Sequence, residues 1–284
     1  MGDVGRVCAV RCALAGASFR DVGVGWPRIC CQLGVPYSRS VTALDFCLLV
    51  VAGFFTGLIG FVTGMASIVS YPALLAAGLP PVAANVTNTV AMVAVGVGAT
   101  ANSGRELVGR GSTLVRWAVL SALGGLLGAL ALLVAPDGAF EVVVPFLVAM
   151  ASIALLVQPL VRRHIGELSA PWIVPVGILL TSVYGGYFGA GAGVIYLSMM
   201  LLCTSESLWS ASILKSFLLG IANLVAAIGF AAFGPVHWGA ALALGAGALA
   251  GRWCGPPVVK VIPPSVLRVT VGICGLGLAV YLAR

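Results

Sequence analysis

Residues 46–104 contain no charged side chain, a run of 59. A bilayer core of about 30 Å takes about 20 helical residues, so this one run holds more than two membrane crossings. The rest of the chain agrees. Of 284 residues, 61% are apolar, and only 15 basic and 8 acidic residues are present. Soluble domains carry about 25% charged residues, which this chain could not match over its surface. Its long unbroken apolar runs also lack the polar–apolar alternation of a membrane barrel. The fold class expected is all-α, a polytopic membrane protein.

The net charge is +7. The basic residues fall between hydrophobic runs, which is the placement of topology anchors rather than of a nucleic-acid surface. The partners expected are therefore the lipid bilayer and a small solute, with no nucleic acid.

Spans are read at 44–62, 84–100, 117–135, 142–161, 173–188, 208–233, 238–253 and 267–283, about eight in all. Two of them run into glycine-rich breaks. The first break holds Gly57, Gly60 and Gly64, followed by a half-length apolar piece ending at Ala77 and a turn at Gly78-Leu-Pro-Pro81. The second is Gly185-Gly-Tyr-Phe-Gly-Ala-Gly-Ala-Gly193, with an apolar piece to Cys203 and a polar turn at Glu206. The order of elements repeats, so two homologous four-helix halves are expected at 41–165 and 166–284, each with one broken helix. Gly60 pairs with Gly189 and Gly64 with Gly193 at the same offset.

Residues 1–40 form a separate basic tail, with Arg6, Arg11, Arg20, Arg28 and Arg39 and the cysteines Cys8, Cys12, Cys30 and Cys31. Their spacing is not that of a zinc site. A start at a GTG codon, at Val35 or Val41, would explain the abrupt change of composition at Val41.

The segments 105–116 and 162–167 carry Arg105, Arg110, Arg116, Arg162, Arg163 and His164. Counted as cytoplasmic loops, with each broken segment as one net crossing, they put the N-terminus inside the cell inner membrane. Arg252 and Lys260 then fall outside, against the rule. Whether the halves are parallel or inverted depends on whether a broken segment crosses or returns.

Unwound backbone in hydrocarbon must be satisfied by protein or by cavity water. Glycine breaks at matching positions therefore predict a cavity between the halves, lined by Gly60, Gly64, Gly189, Gly191 and Gly193. Lys215 lies well inside a span, where an ionisable group is costly and marks function. Thr87 and Asn88 form a polar cluster in an apolar span, and Asn223 is two turns beyond Lys215. Together these are the candidate substrate-binding residues, with Lys215 as counter-charge to an anion. His237 beside Trp238 reads as a membrane-interface position. No Walker loop, HExxH, Asp-rich diphosphate motif or Ser/His/Asp set is present, so neither an enzyme nor a cofactor is expected.

Several stretches resemble the sulfite exporter TauE/SafE family, also called the toluene sulfonate uptake permeases. They are Gly57-Leu-Ile-Gly-Phe-Val-Thr-Gly64, Pro72 and Ala84-Asn-Val-Thr-Asn88 in the first half. In the second half they are the 185–193 glycine run, Ala211-Ser-Ile-Leu-Lys215, Gly234-Pro-Val-His-Trp238 and Pro264-Ser-Val-Leu-Arg268. The first break carries Phe61, Val62 and Thr63 where the family usually has glycines. The resemblance covers about residues 41–284. It implies a secondary transporter for small anions, often sulfur-containing ones such as sulfite or organosulfonates. Two rivals remain open at this level: a membrane thiol–electron shuttle using Cys47, Cys203, Cys254 and Cys274, and a membrane scaffold without a transport cycle.

Overall fold

The computed structural model describes residues 42–103, 111–136, 138–165, 172–259 and 264–282. The tail at 1–40, Arg105, Arg110, Asp137 and Lys260 lie outside the described residues. Among those described, the chain forms ten α-helices and no strand. They are α1 (Ala43–Thr63), α2 (Ser67–Ala76), α3 (Pro81–Ser103), α4 (Gly111–Val134), α5 (Ala139–Ile165), α6 (Ile173–Tyr187), α7 (Ala192–Cys203), α8 (Leu208–Phe233), α9 (Trp238–Val259) and α10 (Pro264–Leu282). By length and apolarity α1, α3, α4, α5 and α8 can cross a membrane, and α2, α6 and α7 are shorter apolar helices. Leu44, Val119, Leu127, Phe146, Leu180, Ile228 and Leu242 stand exposed on the outside. In water so many large apolar side chains would be costly; in lipid they are the solvated surface.

Local chemistry sets the helix ends. Thr42 caps α1 by accepting from the Asp45 amide at 3.2 Å, while the Asp45 carboxylate accepts from the Thr42 amide at 3.1 Å. Gly64 ends α1 in the left-handed region, at φ 79°, with its amide on the Gly60 carbonyl. Ser207 caps α8 through the Ser210 amide.

Glycine contacts fix the helix directions. Gly53 of α1 meets Leu244 and Ala248 of α9, and Gly57 meets Ala248 and Arg252, so these helices run parallel. Gly245 of α9 lies by Ala91 and Ala94 of α3, and Gly98 by Leu249 and Arg252, so α3 is parallel to both. In a second set Gly124 and Gly128 of α4 step along Ser182–Val183 and Val183–Tyr187 of α6. Ser121 reaches the Leu218 carbonyl and Gly125 reaches Ala222, so α4, α6 and α8 run together. The two sets oppose each other: Val86 of α3 lies against Gly234 of α8, while Gly96 lies against Gly220.

The sequence expectation of a broken helix crossing once is not met. Gly177 of α6 touches Met199 of α7, Ser182 bonds Tyr196, and Gly185 lies beside Ala192, so α7 runs back along α6 as a hairpin. In the first half, Asn88 of α3 bonds Ser67 and Ser70 at the start of α2, whose end joins the start of α3. Thus α2 runs against α3, and so against α1. The physical reason is the turn chemistry: positive-φ glycines at 64, and at 189 and 191, reverse the chain where a kink would have let it continue.

The packing keeps its pattern when α1–α5 are exchanged for α6–α10. The pair α1/α9 matches α6/α4, α3/α9 matches α8/α4, and α1/α2 matches α6/α7; α3/α8 and α5/α10 map onto themselves.

Candidate functional site

The tips of the two hairpins meet. A Cβ on Gly64 would fall 2.7 Å from the Gly193 carbonyl carbon, closer than real Cβ atoms approach. Only glycine at both positions permits this backbone contact. Gly96 and Gly220 make a second one, with a Cβ on Gly96 falling 2.7 Å from the Gly220 Cα. These two approaches draw α1, α3, α6, α7 and α8 around a cavity of about 50 Å³.

Gly60, Gly64, Gly189 and Gly193 line it from the hairpin tips, and Lys215, Ser216 and Asn223 from α8. Asn88, Thr89 and Gly96 close it from α3, with Ser67 from α2 and Phe188 from the second tip. Of the residues expected from sequence, Thr87 and Gly191 are not among the lining. The Thr87 hydroxyl accepts from the His237 amide at 3.0 Å. Gly191 starts α7 in the left-handed region and packs against Ala151.

The sequence reading missed Arg252, which reaches the cavity from α9. It stands at the polar end of a hydrophobic run, beside Trp253, and so looks like an interface anchor. The parallel packing of α1 on α9 turns it inward, to 6% exposure. Its presence in an otherwise apolar helix was the available signal.

Lys215 is 2% exposed, and its ammonium donates to the Gly60 carbonyl at 3.4 Å. That carbonyl already accepts from the Gly64 amide at 3.1 Å, so it is a shared acceptor. Among the described residues lining the cavity there is no carboxylate. Two buried basic side chains share one small space, and the Lys215 ammonium has only a shared backbone carbonyl there, a costly arrangement for a buried charge. The first turns of α2 and α7 also reach the cavity through Ser67 and Gly193, adding the positive ends of two helix dipoles. The two basic side chains and the two helix N-termini favour an anion, and the C-terminal ends of α1 and α6, at Gly60–Gly64 and Phe188–Gly189, oppose it.

Asn88 has a different role from the one its type suggested. Its amide donates to the Ser67 hydroxyl at 3.1 Å and its carbonyl accepts from Ser70 at 2.5 Å. It therefore holds the α2 arm of the first hairpin as well as lining the cavity. Cys47, Cys203, Cys254 and Cys274 are free thiols and none lines the cavity.

Comparisons with known proteins give a family and a relative. The family model described as Sulfite exporter TauE/SafE matches residues 49–282. A probable membrane transporter protein, ORF9, from Sinorhizobium sp. is 25% identical over 240 residues, covering 82% of this chain and 90% of that protein. No solved structure matches.

Proposed function

The chain belongs to the sulfite exporter TauE/SafE family of membrane transporters, and from that premise we propose that it moves a small sulfur-containing oxyanion by alternating access. The carrying observation is the pair Lys215 and Arg252 in one buried, carboxylate-free cavity between the hairpin tips. The family's printed name points to sulfite, and the cavity has room for an anion of that size. A buried water needs roughly 10–15 Å³, so a cavity of about 50 Å³ takes the volume of a few waters, which is that of one small oxyanion.

The exchange pattern of the helix packing supports reading 41–165 and 166–284 as two homologous repeats. The opposed directions of α3 and α8, and of α1 and α6, support reading them as inverted repeats. Each half then contributes one hairpin and three crossing helices, and the hairpins enter from opposite faces. A rocking of one half against the other would open the cavity first past one tip and then past the other.

The same directions revise the expected orientation. Ala43 starts α1 on the face where α3 also starts, and Ser103 ends α3 on the opposite one. The ends of α3, α5 and α9 share that second face, and the sequence beyond α3 and α9 carries Arg105, Arg110 and Lys260, with Arg162, Arg163 and His164 in the last turn of α5. Taking this face as cytoplasmic removes the earlier conflict over Lys260. It also places the start of α1 on the outer side, in place of the cytoplasmic N-terminus expected from counting crossings.

Reconstitution tests the proposal. Proteoliposomes holding the full chain should accumulate or release sulfite faster than empty vesicles, with methanesulfonate competing less well and toluenesulfonate not at all. Sulfite flux equal to that of empty vesicles under gradients of either direction would reject it.

A further inference from the structure

The anion cavity carries, on its α2 wall, a hydroxyl whose proton is unspent. Ser67 stands in the first turn of α2, is 7% exposed and lines the cavity. Its oxygen accepts from the Asn88 amide at 3.1 Å, and the Asn88 carbonyl accepts from the Ser70 hydroxyl at 2.5 Å. These two lengths fix which way the Asn88 side chain points. A separation of 2.5 Å suits O–H···O and is too short for N–H···O, whereas 3.1 Å suits N–H···O. The amide oxygen therefore faces Ser70 and the amide nitrogen faces Ser67. The Ala66 carbonyl, 3.4 Å from the Ser70 hydroxyl, is the weaker of the two acceptors of that proton.

The chain of bonds thus has a direction. Ser70 donates to Asn88, and Asn88 donates to Ser67. A serine hydroxyl owns one proton and two lone pairs. With one lone pair of Ser67 turned to the Asn88 amide, its proton must point away from Asn88. Among the described residues that proton meets no acceptor. A buried donor left in that state is costly, and an oxygen of a bound anion relieves the cost.

We propose that Ser67 donates directly to the transported anion, and that Asn88 and Ser70 are positioning residues that keep its proton turned into the cavity. This rests on the anion reading of the cavity.

The placement also says which parts of the protein the ion joins. Lys215 reaches the Gly60 carbonyl from α8, and a Cβ on Gly60 would fall 2.8 Å from the Cβ of Ala66, the neighbour of Ser67. A charged donor from α8 and a neutral donor from α2 therefore serve the same end of the first hairpin. The second hairpin has no counterpart. Its returning arm α7 opens with Ala192, Gly193, Val194 and Ile195, none of which carries a side-chain donor. The ion is held unequally by the two tips although the helix packing is exchangeable. In a rocking motion Ser67 travels with the first hairpin and Lys215 with α8, so the bound ion bridges the parts that move.

Equilibrium binding of ³⁵S-sulfite to the purified full chain tests this. Ser67→Ala should weaken binding by on the order of tenfold or more, the worth of a hydrogen bond to a charged group. Ser67→Cys fills the same space but donates weakly, and should weaken binding to a similar extent. Ser70→Ala takes the other bond from Asn88 but leaves the Ser67 hydroxyl, which the ion itself can turn. It should lower the unfolding midpoint and weaken sulfite far less than Ser67→Ala. Ser152→Ala, which removes a buried hydroxyl bonded to the Val148 carbonyl, should leave binding unchanged. Sulfite affinity equal to that of the unaltered chain in folded Ser67→Ala protein overturns the proposal. So does an equal loss in Ser67→Ala and Ser70→Ala, which would mean that the α2 arm is merely displaced. Should Ser67→Ala fail to fold, Ser67→Cys decides by the same comparison. No sulfite bound by the unaltered chain would instead overturn the anion reading itself, and this inference with it.

Discussion

Gly64 and Gly193 touch backbone to backbone across the interface between the two hairpins. Neither position can take a side chain without separating the tips, and Gly64 is also at φ 79°, where an L-residue costs about 1–2 kcal/mol. Gly64→Ala and Gly193→Ala should therefore abolish transport. Gly229→Ala meets nothing within 4 Å and should not. Uptake assays at matched membrane expression check this; wild-type rates in Gly193→Ala would mean that the tips need not meet.

Lys215 and Arg252 should act as a unit. Lys215→Met should reduce anion flux by on the order of a hundredfold, as expected for losing a buried charge partner. Lys215→Arg should keep part of the activity, since charge survives while shape changes. Arg252→Met should fall short of a second independent loss when combined with Lys215→Met, giving a non-additive double-mutant cycle. Strict additivity would mean that the two cations serve separate functions.

Asn88→Ala tests a positioning role. It strips both hydrogen bonds from Ser67 and Ser70 and should cost about 1–3 kcal/mol for each group left buried and unpaired. A lower unfolding midpoint, with slower transport at an anion affinity close to wild type, is the expected result. A large loss of affinity at unchanged stability would instead place Asn88 on the substrate.

Topology is open to cysteine labelling in a cysteine-free background. Ser112 near the start of α4 and Pro136 after its end are both exposed. A cysteine at 112 should react with a permeant maleimide only, and one at 136 also with an impermeant maleimide added to intact cells. The opposite pattern would invert the whole orientation.

Much of the site could be read from sequence because unwound backbone in a membrane needs glycine, and glycine runs are visible. Lys215 was visible for a similar reason: a charge inside a span has few cheap explanations. Arg252 was not, because hydropathy alone places it at a helix end, and only the parallel packing of α1 on α9 turns it inward. The return of α2 and α7 was hidden as well. A half-length apolar helix has the same composition whether the chain continues or doubles back, and only contacts such as Gly177 with Met199 distinguish them. Asn88 does line the cavity, and its bonds to Ser67 and Ser70 were not legible, since its type shows hydrogen-bonding capacity and not who uses it.

Each hairpin leans on a helix distant from it in the chain: α1 along α9, and α6 along α4. For α6 the support has already been synthesised when it emerges. For α1 it has not, because α9 follows roughly 195 residues later, which at about 5–20 residues per second is on the order of ten to forty seconds of translation. During that interval the newborn first hairpin sits in the bilayer with its glycine face, at Gly53 and Gly57, uncovered. Biogenesis is therefore lopsided although the finished molecule is nearly symmetric, and membrane insertases have their longest guardianship at the very beginning of the chain.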